Sequence, residues 1–454
     1  MSIPARTSME WEPALFLLAA CLFAALLIPA EAQAATLHVR QDSGSSLILI
    51  QQAINQSTNG DVIIVAAGTY VENIDFMGKN ITLTSESGPA ATIIDGSSRD
   101  SSVVVFKRGE TRSATIEGFT ITGGRGSKPF GPLSEKGGGG IFALNSSPTI
   151  QNNTILGNSA IRPDAGARVT GTGGGIACGG EEREFLSAPL IQGNTIRQNQ
   201  AGANGGGIAA CGWASPTIVD NLVEQNSTVY GDGGGVYLLT LAEGALINSN
   251  LIISNSAGDH GGGVYGAVPS NLFTVSCEIS RNLIWRNRAE AEARTGDSGG
   301  VWLATITATV RNNTIVGNQG VGTDSTWGGG IVVIAPCSPV VIERNIIADS
   351  QNGGGIRCRG VPTPRIENNI FWHNGGGSIN GECSVMIGDH GNIQVDPQFC
   401  NADLGDFSPA ENSPALFHTA GPIGAILIAG CPGVLVLVTT WSALKSRMPF
   451  SQAR

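Results

Sequence analysis

Residues 147–160 read SPTIQNNTILGNSA, and the pattern returns along the chain. After a glycine-rich insert come GGGIAC (173–178), APLIQGNTIRQNQA (188–201) and GGGIAA (205–210). Then follow SPTIVDNLVEQNST (215–228), GGGVYL (233–238), GALINSNLIISNSA (244–257) and GGGVYG (261–266). Each unit carries three short β-branched runs separated by turn residues. A unit this short cannot bury its own apolar face, so neighbours must stack, and the pattern predicts a solenoid of parallel strands.

The repeats extend over 113–384 with the motif N-x-[IVL]-x-x-N at Asn153/Asn158, Asn194/Asn199, Asn221/Asn226, Asn250/Asn255, Asn282/Asn287, Asn313/Asn318 and Asn369/Asn374. In the unit that begins at Asn345, Ser350 takes the second place. The units recur every 24–41 residues, so some turns carry insertions. Stacked coils bring equivalent positions to about 4.8 Å, where amides bond from coil to coil. Asn153, Asn194, Asn221, Asn250, Asn282, Asn313, Asn345 and Asn369 are therefore read as a structural ladder. Asn152-Asn153-Thr154 also matches a glycosylation acceptor motif, which arises readily by chance in so asparagine-rich a chain.

Glycine makes up 64 of 454 residues and charged residues only 14%, a composition of tight turns and stacked strands rather than helices. The net charge of −10 argues against nucleic acid or an anionic membrane surface as a partner. It also argues against acidic polymers, unless a metal or a local basic patch intervenes.

Residues 1–34 have the form of a secretory signal peptide: Arg6, an apolar core at 14–30, and AQA at 32–34. Pro29 and the small residues beyond it argue against an uncleaved anchor. LAAC (18–21) has the look of a lipoprotein signal, but apolar residues continue past Cys21. The mature chain, exported to the cell surface or the medium, would start near Ala35. In SLILIQQAINQS (46–57), Leu47, Ile50 and Ile54 share one helical face, with Ser45 or Ser46 as N-cap. Such a helix would cover the first coil, whose end is otherwise exposed.

Residues 53–96, with GTYVE (68–72) and KNITL (79–83), resemble the opening of right-handed parallel β-helix proteins of the pectin-lyase-like superfamily. The resemblance implies an all-β right-handed parallel β-helix solenoid: about ten to twelve coils of three strands, with a short N-terminal capping helix. Residues 35–112 would form the cap and first coils. In such proteins one turn is short and lined by Asn, and the other two vary. That makes GGG-[IV] the first strand of each coil, PTI the second and NTI the third, and places any groove along the first-strand face. The resemblance implies no activity.

Residues 385–421 resemble the closing segment of bacterial surface and secreted β-helix proteins, expected to cover the end of the stack. Residues 422–454 form an apolar and basic tail, read as a last strand with a short sorting or docking segment. Only through this tail would the chain meet a membrane. Eight cysteines follow the signal, an even number for an exported chain. Cys178 and Cys358 fall at inward positions and are read as core fillers. One bridge is expected among Cys383, Cys400 and Cys431.

The residue after each GGG-[IV] points outward if the Ile or Val points in. In successive coils it reads Phe142, Ala177, Ala209, Tyr237, Tyr265, Trp302, Val332, Arg357. Tyr237, Tyr265, Trp302 and Arg357 are the candidate ligand-binding residues. Just upstream lie Asp232, Asp259 with His260, and Asp297, the candidates for acid–base chemistry or for Ca²⁺. Rings can lie against sugar faces, and carboxylates can bind hydroxyls or a cation. The plain alternative is that Asp serves the turns and aromatics favour strand faces.

No catalytic set is complete. Polygalacturonase-like enzymes need paired aspartates and Gly-His-Gly, and this chain offers only GDHGG (258–262). The pectin-esterase-like and pectate-lyase-like sets need carboxylates beside a basic residue, and Arg357 has none near it in its row. The glycine triplets lack the lysine and helix of a phosphate loop. The leading expectation is a non-catalytic, monomeric surface or secreted protein that binds a polysaccharide or cell-surface glycan. A lyase, glycoside hydrolase or epimerase acting in the first-strand groove is the second, and a purely structural or adhesive solenoid the third.

Overall fold

The computed structural model describes residues 34–42, 44–130, 135–162, 169–269, 275–290, 298–321, 328–334, 339–360, 363–383, 385–425 and 431. Over these residues the chain winds into a parallel β-helix with three long sheets. The GGG sheet has 11 strands, from Ile74–Asp75 to Ile379–Gly381. The PTI sheet has 12, from Thr36–Val39 to Arg365–Glu367, and the NTI sheet has 12, from Gly68–Tyr70 to Ile393–Gln394. Where three strands per coil were expected, six coils carry a fourth, a two-residue strand from Ser159–Ala160 to Gln319–Gly320. It follows the second Asn of the motif, where the chain stays extended before the glycines.

Like residues stack on like. Ile141, Ile176, Ile208, Val236, Val264, Val301, Ile331 and Ile356 are register partners in succession. Ile155, Ile196, Val223, Ile252, Ile284, Ile315, Ile347 and Phe371 form the inward row of the NTI sheet, each with no exposed surface. Each such burial stabilises by roughly 1.5–3 kcal/mol.

The asparagines lie in two buried columns. Asn194 Oδ1 accepts the Asn153 backbone N–H at 3.0 Å, while Asn194 Nδ2 donates to Ile150 O of the coil before and to Asn221 Oδ1 of the coil after. The second column, through Asn199, Asn226, Asn255 and Asn287, repeats this arrangement. The glycine triplets explain themselves against it. A Cβ on Gly207 would meet Gly235 O at 2.6 Å and Asn226 Nδ2 at 3.0 Å. Gly205 has φ +65°, and a Cβ there would press on Ala209.

The helix spans Ile50–Gln56 and buries Ile50, Ala53 and Ile54. Its expected serine cap is replaced by a carboxylate from the first coil: Glu72 accepts the N–H groups of Ile50 and Gln51 at 2.8 and 3.0 Å. Ser45 instead closes its own turn, bonding Leu47 O at 2.8 Å.

Two disulfides occur among the described residues, Cys358–Cys383 and Cys400–Cys431. Cys358 is thus a bridge and not a filler, because Cys383 of the last coil comes up against the end of its strand. Cys178 remains a buried thiol, its pKa pushed up to about 12 by burial. Cys337, the signal-like segment 1–33 and the tail residues 426–430 and 432–454 lie outside the described residues.

The closing segment departs from expectation. Only its start closes the stack, where Ile393–Gln394 adds the last strand to the NTI sheet. The chain then turns back along the outer face of that sheet. Phe407 and Ala425 pack with Leu251, Leu283, Val316 and Ala348, and Ile423 packs with Ile346 and Ile370. Ala425 N–H donates to Thr314 Oγ1 at 3.0 Å. Over these later coils the outer NTI face is apolar, and the returning segment takes it out of water.

Candidate functional site

The outward row of the GGG sheet begins earlier than the sequence suggested, at Asp75, which pairs with Val105 and through it with Phe142. It runs on through Ala177, Ala209, Tyr237, Tyr265, Trp302, Val332 and Arg357. The row is not open throughout. Phe142, Ala177, Ala209 and Tyr237 are buried in an apolar cluster of their own outside the sheet. Tyr265 and Trp302 are part-buried, and they form the part of the aromatic strip that reaches solvent.

The rings stack on one another. Tyr237 and Tyr265 have centroids 4.9 Å apart at 17°, and Tyr265 and Trp302 4.6 Å apart at 7°. Coplanar rings cannot approach so closely, so the planes are offset-stacked along the helix axis. Neighbouring faces therefore cover each other, and ring edges are turned outward. The strip cannot serve as a flat platform for successive sugars; the faces left over are at its ends. Trp302 Nε1 is buried without a hydrogen-bond partner among the described residues.

Asp232, Asp259 and His260 converge beside this stack. The turn before each GGG strand stacks in register, so Asp232 and His260 occupy equivalent places in successive coils, as Asn204 does one coil earlier. Asp232 N–H donates to Asn204 Oδ1 at 3.0 Å, and His260 N–H donates to Asp232 Oδ1 at 3.0 Å. His260 Nδ1 lies 2.9 Å from the same oxygen and 3.4 Å from Asp259 Oδ2. Both neighbours are acceptors, so Nδ1 carries the proton, and one N–H cannot point at both. The imidazole also rests 5.0 Å from the Trp302 ring. Burial, with the charges of Asp232 and Asp259, pushes the Tyr265 phenol well above the usual tyrosine range.

The ligand atoms of Asp232, Asp259 and His260 all lie within 4.8 Å of one another. Two carboxylates and an imidazole are donors for Zn²⁺ or Mn²⁺; Ca²⁺, which takes six to eight oxygens, would find only the carboxylates. Asp297 lies outside the described residues. Arg357 stands two strands beyond Trp302, past the buried Val332, and the row does not bring it to the cluster.

Sequence reading passed over a cavity at the other end of the same row. About 600 Å³ in volume, it is walled by the capping helix and the first coils. Its lining includes Asp75, Arg99 and Arg108 with Leu49, Val71 and Met77. These residues belong to four separate turns and carry no common spacing.

A family model described as a right-handed β-helix region matches residues 43–252 and 225–396. Over 109 residues, 23% of this chain, the sequence is 36% identical to a cell surface glycoprotein of Methanothermus fervidus. That match spans 15% of the relative's length. Among solved structures, a pectate lyase aligns with TM-score 0.48 and 12% identity over 85% of this chain and 91% of its own. A protein solved with xylose aligns with TM-score 0.48 and 11% identity over 80% and 87%. A mannuronan C-5 epimerase module of Azotobacter vinelandii aligns with TM-score 0.41 and 15% identity over 77% and 94%.

Proposed function

The chain belongs to the right-handed β-helix family, and from that premise we propose that it is an exported surface or secreted protein that binds a polysaccharide on the outer face of its GGG sheet. One observation carries the reading. Asp232, Asp259 and His260 meet the exposed end of the Tyr237–Tyr265–Trp302 stack, so hydrogen-bonding groups and an apolar edge face solvent together. Carboxylates there accept from sugar hydroxyls, and the Trp302 end of the stack packs against the C–H face of one sugar. The two disulfides fit an oxidising compartment. The relative named a cell surface glycoprotein supports placement at the cell surface.

The second reading, a polysaccharide-active enzyme at the same place, draws on His260, whose Nδ1 lies 2.9 Å from Asp232 and 3.4 Å from Asp259, near the Tyr265 phenol. A single experiment separates them. The full chain is incubated with neutral and acidic polysaccharides, with and without Zn²⁺, Mn²⁺ and Ca²⁺, and chain length and co-elution are followed. Co-elution of one polymer without shortening supports binding. Shortening makes the protein an enzyme. If neither occurs, a structural solenoid remains.

A further inference from the structure

We infer that the corner between the GGG and PTI sheets, around residues 181–187, is a docking surface for a protein segment that carries leucine-like side chains flanked by lysine or arginine. The surface is separate from the outward row, and its partner is independent of the glycan reading.

The surface begins with an insertion. Strand Ile208–Gly212 leads to Thr217–Val219, and Val236–Thr240 leads to Ala245–Asn248, so four residues suffice to turn this corner. Between Ile176–Gly180 and Leu190–Gln192 the chain uses nine. Stacking does not call for the extra residues, and they do not pack inward. Residues 181–186, EEREFL, are all exposed, with Phe185 at 50% and Leu186 at 45%.

The turn is nonetheless held in place. Arg183–Phe185 forms a 3₁₀ turn, closed by the Phe185 N–H on Glu182 O at 3.0 Å. Ser187 behind it is buried, donating through its N–H to Trp213 O at 2.9 Å and through Oγ to Ser146 O at 2.7 Å. Gly180 lets the turn sit close, since a Cβ there would lie 2.5 Å from Phe185 O. An apolar pair displayed on a fixed turn loses little ordering entropy when a partner covers it.

Beside the turn lies a cleft of about 400 Å³, walled by Leu186, Trp213, Leu241 and Val275. Among the described residues of its lining only Arg183 and Glu243 carry charge. Such a cleft seats an apolar side chain. A sugar ring would need several hydrogen-bonding groups around its rim, which this lining does not bring.

Charge decides the partner. The turn and the cleft together carry exposed Glu181, Glu182, Glu184 and Glu243, against Arg183 alone. Glu181 accepts from Asn145 Nδ2 at 2.9 Å, while Glu182, Glu184 and Glu243 have no ion pair among the described residues. Uncompensated carboxylates repel an anionic membrane or an acidic polymer and match a basic segment. Bare apolar side chains rimmed by such groups form a docking patch rather than ordinary surface.

The test is fluorescence anisotropy of the full chain with a short fluorescein-labelled peptide of leucine and lysine, beside the same peptide with glutamine for lysine or serine for leucine. The leucine–lysine peptide should bind, and each of the others at least about tenfold more weakly. Leu186→Ser should weaken binding about tenfold with an unchanged melting temperature, the effect of losing one apolar contact at an exposed position. Glu184→Gln combined with Glu243→Gln should weaken it about fivefold at low ionic strength and less in salt. Phe417→Ser, at a residue 73% exposed on the closing segment, should leave it unchanged. No binding, equal binding of either altered peptide, indifference to Leu186→Ser, or an equal loss in Phe417→Ser overturns the assignment. Concentration-dependent dimerisation that Leu186→Ser abolishes would give the surface to a second copy of the chain and overturn it as well.

Discussion

The Trp302 ring lies 4.6 Å from the Tyr265 ring and only 7° from parallel to it, so the two residues that reach solvent in the aromatic strip are also packed on each other. A ligand role and a structural role therefore share the same atoms, and mutations must separate them.

Trp302→Ala should lower stability as well as binding, because it removes a stacked partner worth about 0.5–1.5 kcal/mol beyond area burial. Trp302→Phe keeps a ring in the stack and deletes a buried Nε1 that has no partner among the described residues. Its melting temperature should fall by less than that of the alanine variant. If the Trp302 end packs against sugar, polymer retention on an affinity gel should fall in both variants.

Asp232→Asn should preserve the turn, since Asn204 performs the same bond, accepting the Asp232 N–H at 3.0 Å, one coil away. It removes the charge beside His260. The unfolding free energy should stay within about 0.5 kcal/mol of wild type while polymer binding drops. Zn²⁺ or Mn²⁺ should raise the melting temperature of the wild type more than Ca²⁺ does, and the gain should vanish in Asp232→Asn. An equal gain in both proteins would place the metal elsewhere.

Ser350→Asn should stabilise. Ser350 sits in the second asparagine column, buried, with its Oγ lacking a hydrogen-bond partner among the described residues. Its N–H already donates to Asn374 Oδ1 at 3.2 Å, the contact that Asn158, Asn199, Asn226, Asn255 and Asn287 make with the next asparagine of the column. An amide there would complete the chain of bonds from Asn318 to Asn374, worth about 1 kcal/mol, read by thermal denaturation.

Asp349 provides a pH test. Burial, with the charges of Asp396 and Asp403, raises its carboxyl pKa against the opposing effect of His373, 3.7 Å away. A carboxyl raised on folding favours the folded state below its unfolded pKa, and that contribution is lost as pH rises through the folded value. Asp349→Asn should therefore raise the melting temperature at neutral pH and change it least in acid. A larger gain in acid than at neutral pH would reverse the sign.

Cys178 and Cys277 should resist alkylation in the native protein at mildly alkaline pH, since burial pushes both thiols to about 12. Mass spectrometry after iodoacetamide should show both modified only once the chain is unfolded. Native modification of Cys178 would mean that its coil opens readily.

The sequence by itself determined the coil. Spacing of β-branched runs, paired asparagines and glycine triplets is local, and each coil repeats the same local problem, so register followed from the letters. It placed Tyr237, Tyr265 and Trp302 in one row for the same reason. Tertiary structure decided what repetition does not encode. The ring planes turned edge-outward because neighbours only about 4.8 Å apart must stack. The closing segment turned back over Leu251, Leu283 and Val316, since only the assembled NTI face shows that its outside is apolar. Glu72 took the helix cap from the serines by reaching across from the first coil. Arg99 and Arg108 came to one cavity from different turns, a meeting set by how coils stack and by no spacing in the chain.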